Sequence, residues 1–121
     1  VGHFLNVHEG PHQIRMNNVP AHLVPGMTVT NEPGLYKAGR HGIRIENTMI
    51  VKEYCESEFG EFYELSPLTI CPIDKTPIVP DLLGEEARCY LNAYHAMVYD
   101  RLSPYFEGEE LEYLKSACEA L

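Results

Sequence analysis

Thr30-Asn31-Glu32-Pro33-Gly34, followed by Gly42-Ile43-Arg44-Ile45-Glu46-Asn47, is the stretch whose reading decides the fold. Met27 to Asn31 alternates and is β-branched at Thr28, Val29 and Thr30, which predicts a strand ending at Pro33-Gly34. Tyr36 to His41 reads as a turn carrying Gly39. Gly42 to Lys52 is the strongest strand pattern in the chain, with Ile43, Ile45 and Asn47 on one face and Arg44, Glu46 and Thr48 on the other. Glu32 and Glu46 thus both stand in apolar, strand-like sequence, where an ionised acid is expensive. Such an acid is neutralised by a partner, a proton or a metal. On neighbouring strands the two carboxylates would bring their oxygens to one point, and hard divalent cations prefer oxygen. The competing reading is a pair of surface acids on edge strands, which composition alone favours.

Outward from this stretch the pattern changes once. Val1 to Val7 reads as the end of a strand, and His8-Glu9-Gly10-Pro11-His12 breaks it into a loop. Residues 13–26 are irregular, with turn signals at Asn17-Asn18, Pro20 and Pro25-Gly26. Tyr54 to Gly60 reads as an acidic turn, Phe59 to Leu65 as a short strand, Leu68 to Ile73 as another, and Ile73 to Pro80 as a proline-rich connector. From Gly84 the period lengthens: Ala87, Leu91, Tyr94, Val98 and Leu102 form one helical stripe, with Glu85 and Glu86 in the first turn. Ser103-Pro104 ends that helix. A second helix runs from about Glu109, with Leu111, Leu114, Cys118 and Leu121 on one side. The expectation is an α+β fold of antiparallel strands followed by two C-terminal helices. Strands and loops occupy residues 1–80, and a helical tail occupies 81–121.

The bulk properties exclude several classes. A chain of 121 residues with 45% hydrophobic and 22% charged residues is globular in composition and at most one domain. Its net charge of −9 argues against nucleic acid as a partner, because phosphate contacts need clustered Lys and Arg. No run is long and apolar enough to span a bilayer, so no membrane partner is expected. The chain opens on Val1 and shows no signal peptide. Cys55, Cys71, Cys89 and Cys118 share no CxxC spacing and sit near no paired histidine; they read as buried, reduced thiols of a cytoplasmic protein.

Besides Glu32 and Glu46, two residues invite a role. His8 leaves a strand just before Gly10-Pro11 and could reach the same cleft, although a loop histidine bonded to backbone is the commoner case. Arg44 shares the Glu46 face; it would orient a liganding carboxylate or form an ordinary cross-strand ion pair of little worth. His3, His12, His22, His41 and His95 have no spacing that argues for metal and read as structural or surface residues.

At this point the chain resembles a known family. Phe4-Leu5-Asn6-Val7-His8-Glu9-Gly10-Pro11, Gly26 to Gly34 and Gly42 to Asn47 resemble the last third of an Xaa-Pro aminopeptidase (aminopeptidase P). This is a metallopeptidase of the creatinase and methionine aminopeptidase type with the pita-bread fold. The likeness continues through Leu65 to Ile73 and Tyr90 to His95 and so covers nearly the whole chain. The tail Leu91 to Leu121 resembles the long eukaryotic cytosolic form more than a prolidase-type dipeptidase.

The resemblance implies that Glu32 binds one metal and assists proton transfer and that Glu46 bridges two metals. It also implies that His8 contacts substrate near the scissile bond and that Arg44 stands behind the bridging glutamate. The implied cofactor is a pair of divalent ions, Mn²⁺ in most of the family. The implied reaction is removal of the N-terminal residue from proline-containing peptides with proline second, by metal-assisted attack of water. The family's remaining ligands are two aspartates far upstream and a histidine about two positions before Val1. None of these is in this chain, so the expectation is a C-terminal fragment, inactive alone, whose partner is the missing N-terminal part of its parent. A non-catalytic pita-bread binding module, or a prolidase-type dipeptidase, is the alternative for the parent. Half of such a sheet leaves apolar faces uncovered, so self-association into a homo-oligomer is also expected.

Overall fold

The computed structural model describes residues 1–17 and 20–121; the second residue of the Asn17-Asn18 turn signal lies outside them. Strands come first and helices last, as the change of period requires: β1 Thr28–Asn31, β2 Gly34–Lys37, β3 His41–Arg44, β4 Asn47–Ser57 and β5 Gly60–Pro67, then α1 Pro80–Leu83, α2 Glu85–Leu102 and α3 Gly108–Ala117. The chain divides into two compact units, Val1–Thr69 and Ile70–Leu121.

In the first unit β1, β4 and β5 form an antiparallel sheet in the order β1-β4-β5, and β2 pairs with β3 in a separate two-stranded ribbon. Val29, Met49 and Val51 are its buried apolar side chains. They stand at alternating positions of paired strands, with Val29 opposite Met49, so one face of the sheet carries them. Beyond Val51 every residue of β4 is exposed. There β4 and β5 continue as a long hairpin, with a bulge between Glu53 and Cys55 and a tight turn at Glu58-Phe59.

Several sequence expectations are corrected here. Gly42 to Lys52 is not one strand: it breaks at Ile45-Glu46, and the halves pair with different partners, β3 with β2 and β4 with β1. Tyr36 belongs to β2, and the turn it was expected to open is confined to Ala38-Gly39-Arg40, with Gly39 at φ 68°. The acidic turn expected from Tyr54 is instead mostly the outer half of β4. Val1 to Val7 forms no strand. Its amides are taken locally: the Glu9 carboxylate accepts from the backbone N–H of His3, Leu5 and Asn6 at 2.7, 2.9 and 3.2 Å, and Gly2 N donates to Val7 O at 2.6 Å. These backbone bonds hold the Glu9 carboxyl below its ordinary pKa.

The second unit is stitched by side chains. Leu68 to Ile73 is not a strand either. Its amides go to Thr48 O and to a helix side chain: Leu68 N lies 2.8 Å from Thr48 O, and Ile73 N donates to His95 Nε2 at 3.1 Å. Tyr94 Oη donates to Cys71 O at 2.8 Å, so α2 grips the connector at successive residues. Lys75 Nζ donates to Ser116 O and Glu119 O at 3.1 and 2.7 Å, which ties the connector to the C-terminal end of α3. The α2 stripe buries Leu91, Tyr94 and Val98 as its period requires, while Ala87 is exposed; α3 buries Leu114. A turn of helix, α1, precedes the expected pair because Pro80 suits a first helical position. The cysteines were expected to be buried, but Cys55, Cys71 and Cys89 are exposed and Cys118 is intermediate; all four are free.

His95 is fully buried, and burial together with nearby Lys75 lowers its pKa. The folded unit therefore holds a neutral imidazole. As pH falls through the unfolded value of about 6.5, the unfolded chain takes the proton first, so stability present above that pH is lost below it. Melting temperatures measured from pH 7.5 down to 5.5 are expected to fall less steeply in His95→Gln than in the native sequence; parallel slopes would count against a buried neutral His95.

Candidate functional site

The site is built by strand register. The β1–β4 ladder pairs Asn31 with Asn47, the β2–β3 ladder pairs Gly34 with Arg44, and between them Ile45 N donates to Pro33 O at 3.3 Å. The two ladders therefore share one antiparallel register. That register sets Pro33 against Ile45 and Glu32 against Glu46. Directly opposed residues of a regular antiparallel pair have Cβ atoms about 4.5–5.5 Å apart, and like charges so placed repel. Two opposed carboxylates at a seam between ladders need cations nearby.

Each glutamate has a polar neighbour. His8 Nε2 lies 3.5 Å from Glu32 Oε1, an ion pair when the imidazole is protonated, and Thr30 Oγ1 donates to the same Oε1 at 2.8 Å. Arg44 Nε lies 3.1 Å from Glu46 Oε2. Neither acid is buried in a strand as the sequence suggested. Both fall in the break between ladders, and their side chains keep 30% and 37% of their exposure.

Behind Arg44 stands a residue that sequence reasoning assigned to a turn. Tyr36 hydrogen-bonds Arg44 and, with Glu46, raises the pKa of its guanidinium. The ring can lie there because its neighbours have no side chain. A Cβ on Gly34 would come 2.6 Å from Tyr36 Oη, and one on Gly42 would come 2.5 Å from Tyr36 Cδ1. Tyr36 is paired with Gly42 across the ribbon. The available signal was an aromatic two residues after one glycine, with a second glycine on the strand that follows. His8, Thr30 and Glu32 also line a cavity of about 240 Å³ together with His12 and Val29.

Hard oxygen donors facing one another, each backed by a cationic or hydroxyl group, suit part of a divalent-metal site. Among the described residues no three His, Cys, Asp or Glu side chains gather closely enough to hold an ion by themselves. The donor set fits a metal as two ligands that need others.

Fold and sequence together place the chain in a family of metallopeptidases. Residues 1–53 match the model of metallopeptidase family M24, and residues 61–121 match the C-terminal region of peptidase M24. The chain belongs to this family. It is 44% identical over 130 residues to a probable Xaa-Pro aminopeptidase P of Laccaria bicolor, covering 100% of this chain and 20% of the relative. It is 40% identical over 126 residues to aminopeptidase P1 of Arabidopsis thaliana, covering 98% and 19%. The fold matches, with a TM-score of 0.84 and 35% identity, a solved X-prolyl aminopeptidase from Caenorhabditis elegans described as a cytosolic enzyme with a dinuclear active site. That match covers 100% of this chain and 20% of the solved one. The chain thus spans about a fifth of the length of the curated relatives it matches, and the expected α+β, pita-bread type of fold holds.

If Tyr36 holds Arg44 behind Glu46, then Tyr36→Phe and Gly42→Ala weaken divalent-metal binding by the full-length protein about tenfold each. Calorimetric titration of the metal reads this directly. Native affinity in both variants would remove Tyr36 from the site.

Proposed function

We propose that the protein carrying this chain is a metal-dependent Xaa-Pro aminopeptidase, releasing the first residue of peptides whose second residue is proline. The observation that supports this most is the register that sets Glu32 against Glu46, with His8 at 3.5 Å from Glu32. In this reading Glu32 and Glu46 would both help to hold the divalent ions. The ions are a Mn²⁺ pair, completed by ligands from outside these residues. Bound there, the pair would polarise the scissile carbonyl and make water acidic enough to attack near neutral pH.

The chain's own residues do the rest. Thr30 orients Glu32 through Oε1, which leaves the carboxylate turned by its own strand rather than by solvent. Glu32 then accepts and returns the proton of the attacking water. In this reading His8 would donate a hydrogen bond to the substrate beside the scissile bond, and Glu32, 3.5 Å away, would orient that imidazole. Arg44 fixes the rotamer of Glu46. A non-catalytic binding module has no use for opposed carboxylates that repel one another, and their joint presence with His8 favours the enzyme.

The likeness to a relative described as cytosolic supports a cytoplasmic location. No helix among the described residues is long and apolar enough to cross a membrane. Phe4, Leu5 and Val7 are 87%, 87% and 79% exposed, which supports an apolar contact that another part of the protein or a second copy covers.

Glu46→Ala in the full-length protein is expected to abolish Mn²⁺-dependent release of the first residue from an Xaa-Pro peptide. An active variant would remove Glu46 from the metal site. The chain expressed alone is expected to release nothing and to sediment above monomer mass at micromolar concentration; a clean monomer would argue against the apolar contact.

A further inference from the structure

We propose that His12 is a positioning residue, which clamps the His8 loop onto the edge of β1 turned away from β4 and so fixes His8 relative to Glu32. The proposal rests on the reaction inferred above, and it adds a residue that sequence spacing left as structural or surface.

The argument begins with the sheet edge. Among the described residues β1 has a strand partner on one side, in the order β1-β4-β5. Val51 N donates to Met27 O at 2.9 Å, so at position 27 the carbonyl faces β4. Carbonyls alternate in direction along a strand, and Thr28 O therefore faces the open edge. An open edge carbonyl is otherwise left to water or to a foreign strand. Here an imidazole takes it: His12 Nε2 lies 2.7 Å from Thr28 O. A carbonyl oxygen only accepts, so Nε2 carries the proton and the tautomer is set. Nδ1 is then an acceptor, and it is buried with no partner among the described residues. The ring's polar hold is the bond to Thr28.

That bond spans sixteen residues and ties the loop to the strand that carries the site. Thr28 lies on the same strand as Thr30, whose hydroxyl orients Glu32. His8 is four residues before His12, and both line the same cavity with Glu32. The contact of His8 with Glu32 is long, at 3.5 Å, and His8 is 56% exposed, so it does not hold the loop by itself. On the far side of His8, Glu9 clasps the amides of His3, Leu5 and Asn6 and makes residues 3–9 a local knot. The knot has its own order, and His8 and Glu9 share a cavity with Val29 and Thr30 of β1. His12 supplies the attachment, and the distance from His8 to Glu32 follows from it.

The test uses the full-length protein with its metals and compares His12→Phe with His12→Gln. Phenylalanine keeps the ring and removes the donor; the glutamine amide reaches the Nε2 position and restores one. Two readouts are taken. Hydrogen exchange of residues 3–14 is expected to quicken in His12→Phe and to return toward native in His12→Gln. On an Xaa-Pro peptide, kcat in His12→Phe is expected to fall about tenfold to a hundredfold with KM little changed, as misplaced reacting groups require, and His12→Gln recovers most of it.

Unchanged exchange in His12→Phe would overturn the clamp. Quickened exchange with native kcat would overturn the positioning role, as would a glutamine variant no better than phenylalanine. If the native protein itself cleaves no Xaa-Pro peptide, the functional reading falls, and the clamp stands or falls on the exchange rates alone.

Discussion

Everything at the site follows from two ladders keeping one register across the break at Ile45-Glu46. A shift of one residue in either ladder would turn Glu32 and Glu46 to opposite faces, because side chains alternate along a strand. The bond from Ile45 N to Pro33 O carries the register over the break. Proline at 33 has no N–H to continue the ladder, which helps explain why pairing is interrupted there and the acids lie in the gap. The interruption also lets the two glutamates keep part of their hydration, so opposing like charges costs less than it would inside a continuous sheet.

Around that seam the chain sets polar groups one behind another. Thr30 and His8 address Glu32, Arg44 addresses Glu46, Tyr36 addresses Arg44, and His12 ties the His8 loop to the strand of Thr30. Each link is a modest polar contact at partial exposure, and none is a large source of stability. Their value is orientational. A carboxylate or imidazole with two or three supports loses less entropy when it must meet a metal or a substrate.

The helical unit is organised differently. Its connector runs without regular structure from Leu68 to Val79, yet Cys71 O and Ile73 N are paired with Tyr94 and His95 of α2, and Lys75 closes the end of α3. Prolines at 72, 77 and 80 make a ladder impossible, so side chains supply the partners that strand neighbours would have supplied. This is why the apolar run at Leu68 to Ile73 misleads: it has strand composition, but its amides bond one carbonyl at the start of β4, Thr48 O, and one helix side chain, His95.

By itself the sequence determined the kinds of element and their order. It showed a β-branched stretch at Thr28 to Thr30, the helical stripe Leu91, Tyr94 and Val98, and stops at Pro33-Gly34 and Ser103-Pro104. It also carried the motifs that resemble Xaa-Pro aminopeptidases and so singled out Glu32, Glu46, His8 and Arg44. These are properties of residues and of spacings along one segment. Tertiary structure alone decided which residues meet. It split Gly42 to Lys52 between two partners, left Val1 to Val7 folded on Glu9, buried His95, exposed three cysteines, and brought Tyr36 and His12 into the neighbourhood of the acids. Register and edge capping are relations between segments distant in the chain. Whether an amide finds a strand, a carboxylate or an imidazole depends on what stands opposite it, which no single stretch encodes.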